Sequence, residues 1–238
     1  MTTSSPTSLR IQVEGLPLNR EEIRSIMGVD QHGTSIPTFL EDDPFLASLF
    51  RIYRGLVFLT QDPYECLISF MSSGMSTMNR TRGNLAVLRR KLGVPIGETD
   101  YCSLPSARTI AGLKEPEREL RNMGFGYRAA AIAETCRLLT LERIDLRDQS
   151  ILEDDDLRKW LMSFPGVGPK IAECVLLFGF GRMEAFPVDV WVMRALQSRW
   201  PSRSRRSPED FSRWAREKWG PQAGLVQQLL FLWARETL

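Results

Sequence analysis

The stretch that most constrains this chain is a glycine-rich turn between two apolar segments, which reads FPGVGPK over residues 164–170. Gly166 and Gly168 permit the positive φ and bare backbone of a tight turn. Pro169 suits the first turn of a helix, where its missing N–H costs nothing. The sequence therefore predicts a helix-turn-helix unit at about residues 154–182. Free backbone N–H groups at the start of its second helix would suit a phosphate.

Two polar side chains accompany this turn. Lys170 stands in the first turn of the second helix, and Asp189 precedes a later helix as its N-cap. Taken singly, a solvated lysine and a capping aspartate are the simplest interpretations. Together, an amine nucleophile and a carboxylate can displace a base from C1′ of a nucleotide, form a Schiff base with the opened sugar and allow β-elimination of the 3′ phosphate. The carboxylate would orient the amine and offset oxocarbenium charge.

Apolar periodicity and capping signals predict a mainly α fold. The pattern turns helical from the Asp-Pro pair at 43–44, and at 62–63 a capping Asp precedes a Pro at the first helical position. Residues 9–13 alternate like a short strand. We expect 1–42 to be a small N-terminal appendage and 43–238 a helical domain. Further helices are predicted at about 19–27, 78–92, 105–111, 115–123, 129–139, 190–200, 208–219 and 223–236.

Composition excludes several classes of protein. No apolar run reaches 18 residues, and the N-terminus lacks a secretory pattern, which predicts an intracellular protein of the cytoplasm, nucleoid or nucleus. Its four cysteines are scattered and its one histidine is His32, so an iron–sulfur loop, a zinc site or a histidine-based triad is not expected. We therefore expect no metal and no cofactor. The cysteines are Cys66, Cys102, Cys136 and Cys174.

A base within duplex DNA must be flipped out before an enzyme can act on it. Such an enzyme needs a side chain to enter the vacated stack and arginines to hold the other strand. Tyr127 and Arg128 follow a glycine-rich turn, and Arg80 follows the helix break at 72–74. They fit these needs, although a half-buried Tyr and solvated Arg residues are the simpler alternative for each taken alone.

From about residue 55 to its C-terminus, the chain resembles the 8-oxoguanine DNA glycosylase/AP lyase family of the helix-hairpin-helix superfamily. The resemblance rests on five blocks in the same order: QDPYECL at 61–67, GFGYRA at 124–129, FPGVGPK at 164–170, PVDV at 187–190 and WGPQAG at 219–224. It implies a two-lobed helical helix-hairpin-helix DNA glycosylase fold with the site between the lobes. It also implies a monomer that binds double-stranded DNA containing a damaged base.

The resemblance further implies roles for individual residues. Lys170 matches the family's Schiff-base lysine and Asp189 its catalytic aspartate. Cys174 and Phe231 would enclose the two faces of a flipped 8-oxoguanine, and Gln227 would read its Watson–Crick edge. Gly166, Val167, Gly168 and Val190 would bind the DNA backbone, Tyr127 would be the wedge beside the vacated stack, and Arg80 and Arg128 would contact the orphaned cytosine. Met75 is also expected to face the DNA, at the place beside that cytosine.

The chain departs from the family pattern in three places. Residues 1–42 are too few for the family's N-terminal sheet domain, whose backbone carbonyl distinguishes 8-oxoguanine from guanine, so we interpret them as its reduced remnant. Met75 replaces the Asn that enters the space beside the orphaned cytosine, and an adaptable apolar wedge would not read that base. Trp191 stands where the family usually has a His near the lesion's phosphate.

The resulting hypothesis is a bifunctional glycosylase and lyase of base-excision repair that removes 8-oxoguanine. One alternative is a glycosylase of the same fold that acts on an oxidised pyrimidine or an alkylated purine. Another is a non-catalytic helix-hairpin-helix DNA-binding protein, which has no need for Lys170 and Asp189 together.

Overall fold

The computed structural model describes residues 19–27, 43–203 and 206–238, and these are mainly helical. They contain one isolated antiparallel bridge, between Pro95 and Cys102. The strand predicted at 9–13 lies outside the described residues. The α-helices are α1 Arg20–Ile26, α2 Pro44–Ile52, α3 Pro63–Ser73, α4 Met78–Leu92, α5 Ala107–Ala111, α6 Pro116–Leu120, α7 Arg128–Leu141, α8 Asp154–Met162, α9 Pro169–Phe178, α10 Val190–Arg199, α11 Pro208–Trp219 and α12 Ala223–Thr237.

Both predicted Asp-Pro helix starts are present. The Asp43 carboxylate accepts the N–H groups of Phe45 and Leu46 at 3.1 and 3.2 Å. Asp62 caps α3 through two similar bonds, at 3.0 and 3.1 Å. A side-chain cap of this kind stabilises a helix by about 1 kcal/mol. The backbone donors that it satisfies explain why α2 and α3 begin where they do.

Residues 115–123, predicted as one short helix, are helical from Pro116 onward in a regular part and a π-helical part, and helical geometry is first broken at Gly124, just past the predicted end. Helix α6 ends at Leu120, and a π-helical turn follows at Arg121–Phe125, in which Gly124 adopts φ +94°. The Asn84 amide on α4 donates to the Gly124 carbonyl at 2.9 Å. A Cβ at position 124 would lie 2.6 Å from the Asn84 Oδ1 atom. The Asn84 side chain on α4 therefore comes so close to residue 124 that glycine is required there, and the chain leaves helical geometry at this residue.

The helices form two groups, as predicted for a two-lobed fold. Helices α3 to α9 pack mainly against one another, and α2, α10, α11 and α12 form the second group. Helix α9 packs against α3 and α8 in the first group and α11 in the second. The side chains of Phe125, Phe186 and Phe211 are fully buried in the core. The helix that carries Lys170 therefore lies where the two groups meet.

Candidate active site

The turn between α8 and α9 has the positive φ that was predicted for its glycines at Gly166 but not at Gly168. Gly166 adopts φ +75°, and a Cβ there would lie 2.7 Å from the Ala131 Cβ atom on α7. Val167 is buried and donates its N–H to the Phe164 carbonyl at 3.1 Å. Gly168 is extended and begins α9 without a side-chain cap. The first backbone N–H groups of α9 are therefore available to an anion.

Lys170 lies half-buried in the first turn of α9, in largely apolar surroundings. Its Nζ atom is 5.2 Å from the centroid of the Phe70 ring, and that ring stacks on Phe178 at 5.7 Å. An aromatic face attracts an ammonium and restrains a flexible side chain. The contact therefore holds the amine near one place rather than leaving it free in solvent.

Asp189 is the N-cap of α10, as predicted. Its Oδ1 atom accepts the N–H groups of Trp191 and Val192 at 3.0 and 2.8 Å. These two bonds fix the orientation of the carboxylate, and the Asp189 side chain is only half-buried. The group is thus both rigidly held and open to a substrate.

Lys170 and Asp189 line one cavity of about 930 Å³, which is large enough for a nucleotide and its flanking phosphates. Its walls come from the α3–α4 loop, the end of α8, the start of α9, residues 186–191, the start of α11 and part of α12. The cavity thus brings together chain segments that are far apart in sequence. The predicted site residues on its walls are Met75, Gly168, Lys170, Asp189, Val190 and Phe231.

Cys174 lies one helical turn beyond Lys170 and is 3% exposed. Burial raises the pKa of its thiol to about 12, the nearby Lys170 ammonium opposes this rise, and the Asp189 carboxylate adds to it. The thiol is therefore neutral at ordinary pH. Since both charged groups act on it, Cys174 lies beside the Lys170 and Asp189 pair, beneath the cavity surface.

Gln227 on α12 is buried and makes two side-chain hydrogen bonds. Its Nε2 atom donates to the Pro187 carbonyl at 3.1 Å, and its Oε1 atom accepts from the Gln228 amide at 2.8 Å. In this structure the amide therefore holds the segment that leads to Asp189. The predicted role in reading a base stays a prediction.

The loop between α3 and α4 brings three predicted DNA-binding residues together. The Met75 side chain is 97% exposed, and its backbone adopts φ +48°, a conformation that is rare for residues other than Gly, Asn and Asp. The preceding Gly74 carbonyl accepts the Tyr127 hydroxyl at 3.1 Å and an Arg128 guanidinium N–H. Arg128 is 8% exposed, so it supports the loop from beneath. Arg80, in the first turn of α4, is exposed.

Comparison with known proteins identifies the chain, although no protein-family model matches it. A probable N-glycosylase/DNA lyase of Methanothermobacter thermautotrophicus is 36% identical over 92% of this chain and 75% of that protein. The 8-oxoguanine glycosylase/lyase of Clostridium acetobutylicum, solved with double-stranded DNA containing cytosine opposite 8-oxoguanine, is 28% identical with a TM-score of 0.83. That match covers 92% of this chain and 77% of the other.

The chain belongs to the 8-oxoguanine DNA glycosylase/lyase family. The N-glycosylase/DNA lyase of Arabidopsis thaliana is also similar, at 32% identity over 82% of this chain and 56% of that protein. The family, the helix-hairpin-helix fold and the enzyme class predicted from the sequence are confirmed. This glycosylase/lyase is an enzyme of base-excision DNA repair.

Two negative observations apply only to the part of the glycosylase/lyase that the structure describes. No helix there has the length and apolar character needed to cross a membrane. No group of three or more His, Cys, Asp or Glu side chains is placed there to hold a metal ion.

Sequence reasoning missed several residues at the glycosylase/lyase cavity. Arg235 places its guanidinium carbon 5.5 Å from the Phe231 ring centroid. Arg158, Glu173 and Arg216 meet in one ion-pair cluster at the cavity wall. A lone Glu in the apolar run of α9 was the one signal in the sequence, because a buried carboxylate needs partners. Nothing in the sequence indicated which arginines those partners are.

Proposed function

We propose that this glycosylase/lyase excises 8-oxoguanine from double-stranded DNA and then cleaves the strand. The observation that carries the proposal is that Lys170 and Asp189 line one cavity, with Cys174 beneath them. An amine held beside a rigidly oriented carboxylate is the set of groups that base displacement at C1′ requires.

In the proposed reaction, the free amine of Lys170 attacks C1′ while the bond from C1′ to N9 of the base breaks. The base leaves with the bonding electrons and takes up the proton that the attacking nitrogen loses after it bonds to C1′. The Asp189 carboxylate offsets the positive charge that develops on the sugar. The ring then opens to a Schiff base, loss of a C2′ proton expels the 3′ phosphate, and water releases Lys170.

The flipped base would lie between Cys174 and Phe231, with Gln227 at its Watson–Crick edge. Phe231 supports this placement because its ring is on the cavity wall. Gln227 and Cys174 are 4% and 3% exposed, so both have to be reached from the cavity by small rearrangements. A thiol kept neutral by burial provides an uncharged, polarisable surface for a purine.

DNA would be held at two places. The hairpin residues Gly166, Val167 and Gly168, with Val190, would grip the phosphate backbone of the damaged strand through main-chain N–H groups. Tyr127 would be the wedge beside the vacated stack, and Met75 would fill the space beside the orphaned cytosine. Arg80, which is exposed, and Arg128, whose guanidinium also holds the Gly74 carbonyl, would contact the opposite strand.

Met75 carries no polar group able to distinguish bases. We therefore propose that excision depends little on the base opposite the lesion. We also propose that the protein acts as a monomer, which light scattering of the free protein would test.

Covalent trapping tests the mechanism. Duplexes with 8-oxoguanine opposite each of the four bases are incubated with protein and borohydride, and the wild type is expected to form a trapped complex with all four. Lys170→Gln should abolish trapping because it removes the amine. The matched control is Lys218→Gln: this exposed lysine, at the far end of α11, lies over Trp214 and Trp219.

Three outcomes would contradict parts of the proposal. Trapping by Lys170→Gln would mean that another amine is the nucleophile. Trapping on oxidised pyrimidines but not on 8-oxoguanine would overturn the lesion. A strong preference for one opposite base would exclude the proposed role of Met75.

A further inference from the structure

A buried carboxylate lies one turn beyond Lys170 and has a complete set of hydrogen-bond donors. Glu173 on α9 is 2% exposed. Its Oε1 atom accepts from Arg158 Nε at 2.7 Å and also from the Arg216 guanidinium. Its Oε2 atom accepts the backbone N–H of Phe186 at 2.8 Å. The donors come from α8, α11 and the connector that follows α9, so Glu173 joins four parts of the chain.

The charge balance explains why this position needs a carboxylate. Burying an anion is costly unless it is paired and fully hydrogen-bonded. Here two guanidiniums and one backbone N–H face the carboxylate, and all three are donors only. Arg158 also pairs with Asp155, whose side chain is 81% exposed. Glu173 is therefore the buried member of the cluster and Asp155 the exposed one.

The bond to Phe186 connects Glu173 with the reaction site. Residues 186–188 are buried, and they lead directly to Asp189, the N-cap of α10. Further along this connector, the Pro187 carbonyl accepts from Gln227. Two buried polar side chains thus hold two nearby peptide groups, those at 185–186 and 187–188, just before Asp189. One of them is on α9, the helix that carries Lys170.

We propose that Glu173 is a positioning residue that sets where the Asp189 carboxylate lies relative to the Lys170 amine. This inference rests on the roles proposed above for those two side chains. Glu173 itself contacts neither substrate nor reacting atom in this scheme. Its effect passes through one hydrogen bond to the connector, and its bonds to the two arginines hold it in place.

Glu173→Gln tests the proposal because an amide cannot satisfy both sides of this site. If its oxygen faces the arginines, its NH₂ group faces the Phe186 N–H; if it is flipped, the NH₂ group faces two guanidiniums. Glu173→Asp keeps the charge, and thus the fold, should Glu173→Gln fail to fold. It withdraws the carboxylate by one methylene from its partners. Asp155→Asn is the matched control, since it removes the exposed partner of the same Arg158.

The readout compares two substrates under single-turnover conditions. Base excision needs a stabiliser of sugar charge, whereas Schiff-base formation at a preformed abasic site begins from an aldehyde and needs chiefly Lys170. For Glu173→Gln and Glu173→Asp we expect excision to slow by about 10- to 100-fold, as small misplacements do. Cleavage of the preformed abasic site should change by less than about threefold. Asp155→Asn should match the wild type on both substrates.

Hydrogen exchange of the free protein tests the placement without any activity. The backbone amides of Phe186 and of residues 188–190 should exchange faster in Glu173→Gln than in Asp155→Asn. Wild-type exchange and excision in Glu173→Gln would overturn the inference, and so would equal losses on both substrates, which indicate a purely structural role. If the wild type excises no lesion, the proposed function fails, and the exchange result alone decides whether Glu173 holds the connector.

Discussion

Gly166→Ala is expected to destabilise the protein through two separate effects at the hairpin turn. Gly166 adopts φ +75°, where an L-residue with a side chain is less stable by about 1–2 kcal/mol. The added Cβ would also lie 2.7 Å from the Ala131 Cβ atom, well inside contact distance. Relieving such an overlap typically costs about 1–3 kcal/mol. The backbone effect and the packing effect together should lower the free energy of unfolding by about 2–5 kcal/mol.

The neighbouring glycine is a matched control. Gly168 adopts φ −92°, which any residue can adopt, and a Cβ there meets nothing within 4 Å. Gly168→Ala should therefore change the free energy of unfolding by less than about 0.5 kcal/mol, since a poorer N-cap is offset by reduced freedom of the unfolded chain. Urea unfolding curves of the wild type, Gly166→Ala and Gly168→Ala measure the change in the free energy of unfolding for each variant. The comparison requires the same slope of free energy against urea concentration in all three proteins.

A second substitution separates the two effects of Gly166→Ala. Ala131→Gly in the same chain removes the facing methyl group and should restore the packing part, leaving the backbone part. Ala131→Gly also destabilises α7 by about 1 kcal/mol, because glycine is a poor helix former. The Ala131→Gly variant alone measures this cost. If Gly166→Ala and Gly168→Ala unfold at the same urea concentration, the geometric reasoning about this turn is wrong. If the double variant shows no coupling, the contact with α7 is not the cause.

Two further predictions follow from the capping geometry of Asp189 and from the burial of three cysteines. Asp189→Asn should leave the thermal unfolding temperature within about 2 °C of the wild type, because Asn caps helices as well as Asp. The same substitution should slow base excision by about 10²- to 10³-fold. A large loss of stability would contradict this prediction. Burial raises the pKa of the Cys66, Cys136 and Cys174 thiols to about 12, so the folded state keeps protons that the unfolded chain releases above about pH 9. Stability should thus fall as pH rises from about 9 to 12, and urea unfolding at several pH values should show a smaller fall for Cys136→Ala.

Local signals in the sequence were sufficient to predict most helix starts. Asp62 and Asp189 were expected to cap a helix and a helix was expected to begin at Asp43, and each of the three accepts two backbone N–H bonds in the structure. Caps are predictable because the donor and acceptor lie within three residues of each other. The need for glycine in the hairpin was predictable for the same reason, because a tight turn limits which residue types can occupy the turn itself.

One detail that prediction missed involves a distant element. The run at 115–123 is helical as predicted, but its end is π-helical, and the Asn84 side chain of α4 donates to the Gly124 carbonyl there. Tyr127 and Arg128 were assigned to DNA, and the structure shows that both also hold the Gly74 carbonyl. Contacts across tens of residues leave no periodic trace in a single sequence.

The sequence by itself determined the mainly α class, the hairpin and the pair Lys170 and Asp189, because backbone chemistry and residue type suffice for these. Only the tertiary structure placed that pair on one cavity with Phe231 and the Met75 loop. It alone showed that Glu173 and Gln227 hold the connector before Asp189. The physical reason is that a buried polar group is satisfied by whichever donors the packed helices bring to it, and that is decided by packing across the whole chain.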